Sequence, residues 1–209
     1  MAQPTKNAEL TIKLPTPENT PGMSLVECMA KRRSVRDFSQ DALSLMQLSQ
    51  LLWAAQGVTG YADHKRTPPS AGALHPLETY VAVGNVDRLA PGLYHYDPKD
   101  HSIAQVLNSD IRAALGQAAL SQNWLADAAV SVIFSAVFDR TTRKYGRRGI
   151  RYVHMDSGFA AENLHLQAVA LGMGTVVIGA FDDDEVSQVL RLPTSEQPLL
   201  ILPIGWEQA

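Results

Sequence analysis

Cysteine is nearly absent from this chain: 209 residues hold one, Cys28. A single thiol excludes an internal disulfide framework and a cysteine-based zinc site. Cys28 stands among apolar residues in a helical stretch, where a cysteine reads as buried packing rather than as a nucleophile. Long apolar runs are missing too, and none approaches the ~18 residues that a membrane span needs. The opening stretch MAQPTKNAELTIKLP lacks the apolar region of a signal peptide, so a cytoplasmic location is expected. Net charge is only −3, which excludes a chain that binds polyanions over its whole surface, nucleic acid included. The six histidines (His64, His75, His95, His101, His154 and His165) show no H-E-x-x-H spacing. His154 and His165 stand eleven residues apart, three turns of one helix and too far to share an ion. No metal site is expected.

What is present is an ordinary globular composition, 45% hydrophobic and 19% charged, in a length that suits one medium domain. Residues 1–22 hold four prolines and no periodicity, and read as an extended arm before a domain over 23–209. Ser24 and Glu27 form a capping box that opens a short helix toward Arg33. A second helix starts near Ser44 and stops at Gly57, with Leu45, Leu48, Leu52 and Ala55 at helical spacing. Strands are expected at 77–84, in a hairpin over 92–106 with its turn at Asp97–Asp100, at 128–137, at 175–181 and at 198–206. Helices are expected at 110–120, at about 150–171 and at 182–192. The helix over 150–171 shows two apolar faces, one of Met155, Phe159, Leu166 and Val169, the other of Ala160, Leu164, Ala168 and Leu171. So wide an apolar surface predicts a helix buried on most sides. Helices and strands do not alternate strictly, which favours an α+β layered domain over a doubly wound one.

Four stretches carry chemical information. In KRRSVRDFS (31–39), Lys31, Arg32, Arg33 and Arg36 crowd four cations into six positions. A solvated helix face usually mixes its charges, so this cluster points to a local anion. PPSAGALHP (68–76) is stiffened by proline at both ends and built of small residues between, so its backbone amides can approach a ligand closely. It is neither a P-loop nor a G-x-G-x-x-G turn, and Ser70 is not in a G-x-S-x-G elbow. Its plain alternative is a well-built surface turn. RKYGRRGIRY (143–152) is a second basic run, read at the start of the long helix. It is either a mouth for an electron-rich substrate or a solvated lead-in whose arginines pair with acids such as Asp139 or Asp156. VVIGAF (176–181) reads as a core strand, or as backbone packed against a flat ligand, since Gly179 has no side chain to block a ring.

Taken in order, RRSVRDF, PSAGALHPLETYVAV, GLYHYDP, YGRRGIRYVHMDSGFAAENLHLQAVALGMG, IGAFDDDEV and PLLILPIG resemble the nitroreductase-like flavoprotein superfamily, and within it the SagB-type oxidases. The likeness spans about residues 20–206. It implies a central, mainly antiparallel sheet wrapped by helices, in an intertwined homodimer with two FMN sites at the subunit interface. Arg32 and Arg33 would then hold the FMN phosphate and ribityl end, with a hydroxyl from Ser34. Arg36 would lie near the pyrimidine edge, where a cation stabilises the reduced ring. Pro69, Ser70, Ala71, Gly72 and Leu74 would line the ring from the partner chain. Ile178 and Gly179 would lie near the dimethylbenzene side or N5. The family's azoline oxidases use a Lys-Tyr pair as base, and Lys144-Tyr145 is similar to it. The resemblance implies hydride transfer at flavin N5, with azoline oxidation as one such reaction. Two alternatives stay open: an NAD(P)H-dependent reductase of nitro-aromatics or quinones, and a non-catalytic flavin-binding subunit of a pathway complex. In one respect the chain departs from the family. Many members place a basic residue after the final strand, and here the sequence ends PIGWEQA.

Overall fold

Ser24 accepts a hydrogen bond from the Glu27 N–H while the Glu27 carboxylate accepts from the Ser24 N–H, and this reciprocal cap opens helix α1, Leu25–Lys31. The same device at Ser44 and Gln47 opens α2, Leu45–Gln56, which ends at Gly57. Such caps contribute about 1 kcal/mol each. The computed structural model describes residues 10–18, 22–60 and 65–208. Residues 1–9 and 19–21 of the expected arm, and His64, lie outside the described residues.

The remaining elements follow in chain order. The strands are β1 (Thr11–Lys13), β2 (Val58–Gly60), β3 (Lys65–Arg66), β4 (Leu77–Val83), β5 (Gly92–Asp97), β6 (Ser102–Leu107), β7 (Val130–Ala136), β8 (Gly174–Thr175) and β9 (Gln197–Gly205). The helices are α3 (Arg112–Ala118), α4 (Asp139–Tyr145), α5 (Arg148–Ala170) and α6 (Asp183–Leu190). Seven strands form one sheet in the order β1-β6-β5-β4-β7-β9-β8, and every pairing is antiparallel. β2 and β3 form a separate small hairpin.

Side chains alternate across the central strands. Leu77, Val81 and Val83 of β4 join the core shared with α2 and α5, whereas Tyr80 and Ala82 join the core shared with α3 and α6. The result is a sheet with helices on both faces, the α+β architecture expected.

Three local expectations are corrected. The hairpin turn sits one residue later, at Pro98–His101, because pairing continues through Asp97 and Ser102. The stretch 175–181 is not a continuous strand: β8 covers only Gly174–Thr175, and Ile178 makes a single bridge to Ile201. The basic run 143–152 does not simply open the long helix. Gly146, at φ 55°, breaks it into the end of α4 and the start of α5.

Candidate active site

The long helix α5 organises the site, because the two motif loops are fastened to it at different points. At Asp156 its buried carboxylate accepts from the Ser70 hydroxyl at 2.8 Å and from the Ala71 N–H at 3.3 Å. Ser70 Oγ in turn accepts from the His75 N–H at 2.9 Å. Burial raises the Asp156 pKa, and the bonds from Ser70 and Ala71 act against that rise. Together these contacts hold the 70–75 loop in a tight form, with Gly72, Ala73 and His75 all at positive φ. Pro69, Ala71, Gly72 and Leu74 lie on this loop, with Pro69 and Gly72 exposed.

Lys144 and Tyr145 reach the same loop. A Cβ added at Gly72 would stand 2.6 Å from Tyr145 Oη and 3.0 Å from Lys144 Nζ, so a side chain there would displace these two tips. Tyr145 stacks edge-on against Tyr152 of α5, with ring centroids 5.1 Å apart, and the Lys144 ammonium lies 5.4 Å from the Tyr145 ring centre. Arg140 ties α4 to the strand beyond the loop through the His75 carbonyl and Glu78. The arginines of the run take little from acids: Arg143 lies 3.9 Å from Asp139, both largely exposed. Asp156, the other acid considered, serves the loop instead.

The arginine stretch is fastened elsewhere. His165 Nε2 lies 3.0 Å from the Arg33 carbonyl, which it serves as donor. Burial holds the His165 ring below the usual histidine pKa. Next along the chain, Ser34 bridges Thr175 and the Val35 N–H donates to the Thr175 carbonyl at 3.1 Å. Gly174 permits this approach, since a Cβ there would stand 2.6 Å from Val35. Among the described residues, none of Arg32, Arg33 and Arg36 pairs with a carboxylate, and Arg33 donates only to the Ala30 and Arg32 carbonyls. The chain end runs beside this segment, with Gln208 N–H on the Asp37 carbonyl and Glu207 bridging Phe38. Glu207, the acid that follows the final strand, is exposed.

At about 100° per residue, α5 has two working faces. Tyr152 and Asp156 look to the 70–75 loop and Tyr145. His154, Gly158, Ala161 and His165 lie about half a turn around, on the side of the arginines and the 177–179 segment. A groove of about 370 Å3 runs along that second face between Ser157, Gly158, Ala161 and Val177. It adjoins, through His154 and Leu199, another of about 440 Å3 that includes Gly179, Phe138 and Phe181. A Cβ on Gly158 would meet nothing within 4 Å, and one on Gly179 only Leu200 at 3.9 Å, so both glycines leave open floor. Ile178 is buried beside it and Gly179 exposed. An open floor bordered by apolar side chains, one turn of α5 from the His165 that holds the backbone of Arg33, fits a flat ring whose anionic tail runs toward the arginine stretch.

The third side of α5 overturns one expectation. Met155 and Phe159 are 49% exposed rather than buried. On α1, Leu25, Val26 and Met29 are likewise open. The sequence pattern recorded an apolar face, and this chain alone does not cover it. The sequence reading named Asp156 only as a partner for the arginines and His165 only as a histidine too distant from His154 to share an ion, so their roles in holding the loops were missed, as was Arg140. The available signal was an ionisable side chain in the middle of an apolar helix, as Asp156 and His165 both are.

Residues 29–206 match the Nitroreductase family, and the chain belongs to it. It is therefore an oxidoreductase. A nitroreductase-family protein of Methanocaldococcus jannaschii is 44% identical over 196 residues, covering 94% of this chain and 96% of that one. A nitroreductase crystal structure from Ralstonia eutropha JMP134 superposes with a TM-score of 0.85 at 32% identity, over 95% of this chain and 90% of the other. The microcin B17-processing protein McbC of Escherichia coli is 23% identical over 172 residues, 79% of this chain and 63% of McbC. Among the described residues, no helix is long and apolar enough to cross a membrane.

Proposed function

We propose that this chain is an FMN-dependent oxidoreductase of the SagB type that works as a homodimer. The observation that carries the reading is the glycine-floored groove on α5, with the backbone of Arg33 fixed to His165 one turn further along and no carboxylate paired with Arg32, Arg33 or Arg36 among the described residues. A phosphate monoester carries nearly two negative charges, and planar guanidinium groups meet it through paired hydrogen bonds. Bound FMN supplies a two-electron acceptor for a hydride leaving the substrate. Arg32 and Arg33 hold the phosphate and ribityl end, and Ser34 adds a hydroxyl. Arg36 sets positive charge by the pyrimidine edge. Ile178 and Gly179 offer backbone to the ring. Pro69, Ser70, Ala71, Gly72 and Leu74 of a second copy close over it. Lys144 and Tyr145 take the proton that leaves with the hydride, as the base in the oxidation of an azoline-like ring.

The two halves of the site lie on opposite faces of α5, and the helix side between them exposes Met155 and Phe159. Both facts support a second copy as the source of the missing half. The name of McbC, a processing protein for a peptide product, supports the oxidase branch. A second reading is an NAD(P)H-dependent nitro or quinone reductase, and the 44% identity to the nitroreductase-family relative favours it.

Purified protein is expected to be yellow, to release FMN, and to scatter light with twice the mass of the 22.7 kDa chain. Stopped-flow mixing then divides the two readings. Bleaching by a thiazoline peptide but not by NADH or NADPH supports the oxidase, and the reverse supports the reductase. A colourless protein that takes up no added FMN would sink both.

A further inference from the structure

We infer that Glu78 and Arg140 are positioning residues for the Lys144–Tyr145 pair: one guanidinium, held from behind by a fixed carboxylate, sets where α4 presents the two tips over the 70–75 loop. This rests on the reading of that pair as the base. It goes beyond that reading in saying what holds the base in place.

The two tips do not hold themselves. Among the described residues Lys144 has no ion pair, and Tyr145 makes only ring contacts, with Tyr152 and Lys144. Their position is therefore that of α4. A seven-residue helix is too short to be stable by itself, and α4 has no side-chain cap at its start, where Phe138 stands. Its back is fitted to α5: a Cβ on Gly149 would stand 3.0 Å from backbone atoms of Thr141 and Thr142. Packing of this kind sets the spacing of two helices. Sliding and rotation are fixed by directional bonds.

Arg140 supplies those bonds. Its Nη1 donates to the His75 carbonyl at 3.2 Å, at the end of the loop, and its Nη2 pairs with Glu78 near the start of β4. Arg140 and Lys144 stand four residues apart, so they share one face of α4, about 6 Å apart along its axis. The face that Arg140 pins to the end of the loop is thus the face that carries Lys144 to Gly72. The anchor itself is stiff. The other Glu78 oxygen lies 2.8 Å from His95 Nε2, and His95 stands opposite Tyr80 across the sheet, with ring centroids 4.9 Å apart. Burial alone would raise the Glu78 pKa, but the bonds from His95 and Arg140 outweigh it and hold the carboxyl below its usual range. A circuit closes: α5 holds the loop through Asp156, the loop and β4 hold α4 through Arg140, and Tyr145 returns to α5 at Tyr152. The Arg140 side chain is 41% exposed, and ion pairs so open to water add little stability, which leaves position as its contribution.

Glu78→Gln and Arg140→Ala test this, with Arg140→Lys as the conservative control and the double variant Lys144→Ala, Tyr145→Phe as a background without the base. Glu78→Gln keeps the side chain's shape, so it serves even where Arg140→Ala melts early. The first readout needs no flavin: an NOE between the Gly72 Hα protons and the Tyr145 ring, whose Cζ lies 3.4 Å from where a Cβ on Gly72 would stand. The second is single-turnover flavin reduction by a thiazoline peptide, per flavin bound, divided into limiting rate and half-saturating concentration. We expect Glu78→Gln and Arg140→Ala to weaken the NOE and to cut the limiting rate about tenfold, a part of the factor of about 10²–10⁴ that a base contributes, at an unchanged half-saturating concentration. Arg140→Lys keeps the charge but cannot fork to both acceptors, and should recover part of each loss. In the background without the base, Glu78→Gln should cost nothing further, since nothing is left to place. An intact NOE and rate in Glu78→Gln and Arg140→Ala overturn the inference, as does an equal further loss in that background. If the background itself reduces flavin at the wild-type rate, the base reading falls and takes this inference with it. A slow background beside undisturbed Glu78 and Arg140 variants sinks the inference alone.

Discussion

Asp156 and His165 leave α5 on opposite sides, nine residues apart, and each fastens one of the two loops that carry the candidate ligand-binding residues. One helix thus sets the geometry of both half-sites, although neither side chain is placed against a ligand.

Asp156→Ala leaves the Ser70 hydroxyl and the Ala71 N–H without their acceptor. An unsatisfied buried partner costs about 1–3 kcal/mol, so the urea midpoint should fall accordingly. Asp156→Asn keeps an oxygen that can accept one of these bonds, and should recover part of the loss. Equal midpoints for the wild type and the alanine variant would show that the carboxylate does not hold the loop.

Gly72 sits at φ 63° with Tyr145 Oη and Lys144 Nζ over it. Gly72→Ala therefore adds a methyl where two side-chain tips already stand, in a backbone conformation that costs alanine about 1 kcal/mol. Substrate-driven flavin reduction, measured per flavin bound, should slow. General-base catalysis contributes a factor of about 10²–10⁴, which sets the most that the displacement of both tips can remove. An unchanged single-turnover rate would refute the placement.

Arg32→Ala combined with Arg33→Ala should yield colourless protein of normal stability. Each lost charged hydrogen bond is worth about 1.5–3 kcal/mol of binding. Neither arginine has a carboxylate partner among the described residues, so no ion pair is left broken. Full FMN occupancy in the double variant would remove both from the phosphate site.

Acid should weaken the fold before the carboxylates titrate. Burial, with Arg66 nearby, lowers His75 from 6.5 to about 4, and burial lowers His101 and His165 too. The His75 ring stays neutral in the folded chain well below pH 6.5, and His101 and His165 take up protons at lower pH folded than unfolded, while the unfolded chain takes up protons near pH 6.5. Stability therefore rises with pH across this range and is lost on acidification. The urea midpoint should decline steadily from pH 7.5 to pH 5, and a flat profile would contradict the assignment.

Much of this was readable from the chain. The serine caps at Ser24 and Ser44 obey local rules, and so do the alternating strands of the sheet. RRSVR and PSAGALHP marked the two loops because cation density and small residues are visible in one dimension. What fastens those loops was hidden, since Asp156 meets Ser70 across 86 residues and His165 meets Arg33 across 132. Gly146 hid the end of α4 because the charge pattern continues through it. Met155 and Phe159 misled for another reason: periodicity reports that a face is apolar, not what lies over it.

The borders of the large sheet have a further consequence. β6 reads SIAQVL, a six-residue segment with no charge and no proline, and its free side is occupied by the three residues of β1. Lys13 adds a charge to that short outer strand, and at the opposite border β8 is two residues long with Ser34 bridged to it. Short, charged borders deny other chains a template for strand addition. Trimming the chain through Leu14 would bare β6 and should turn a clear solution into an aggregating one on mild heating.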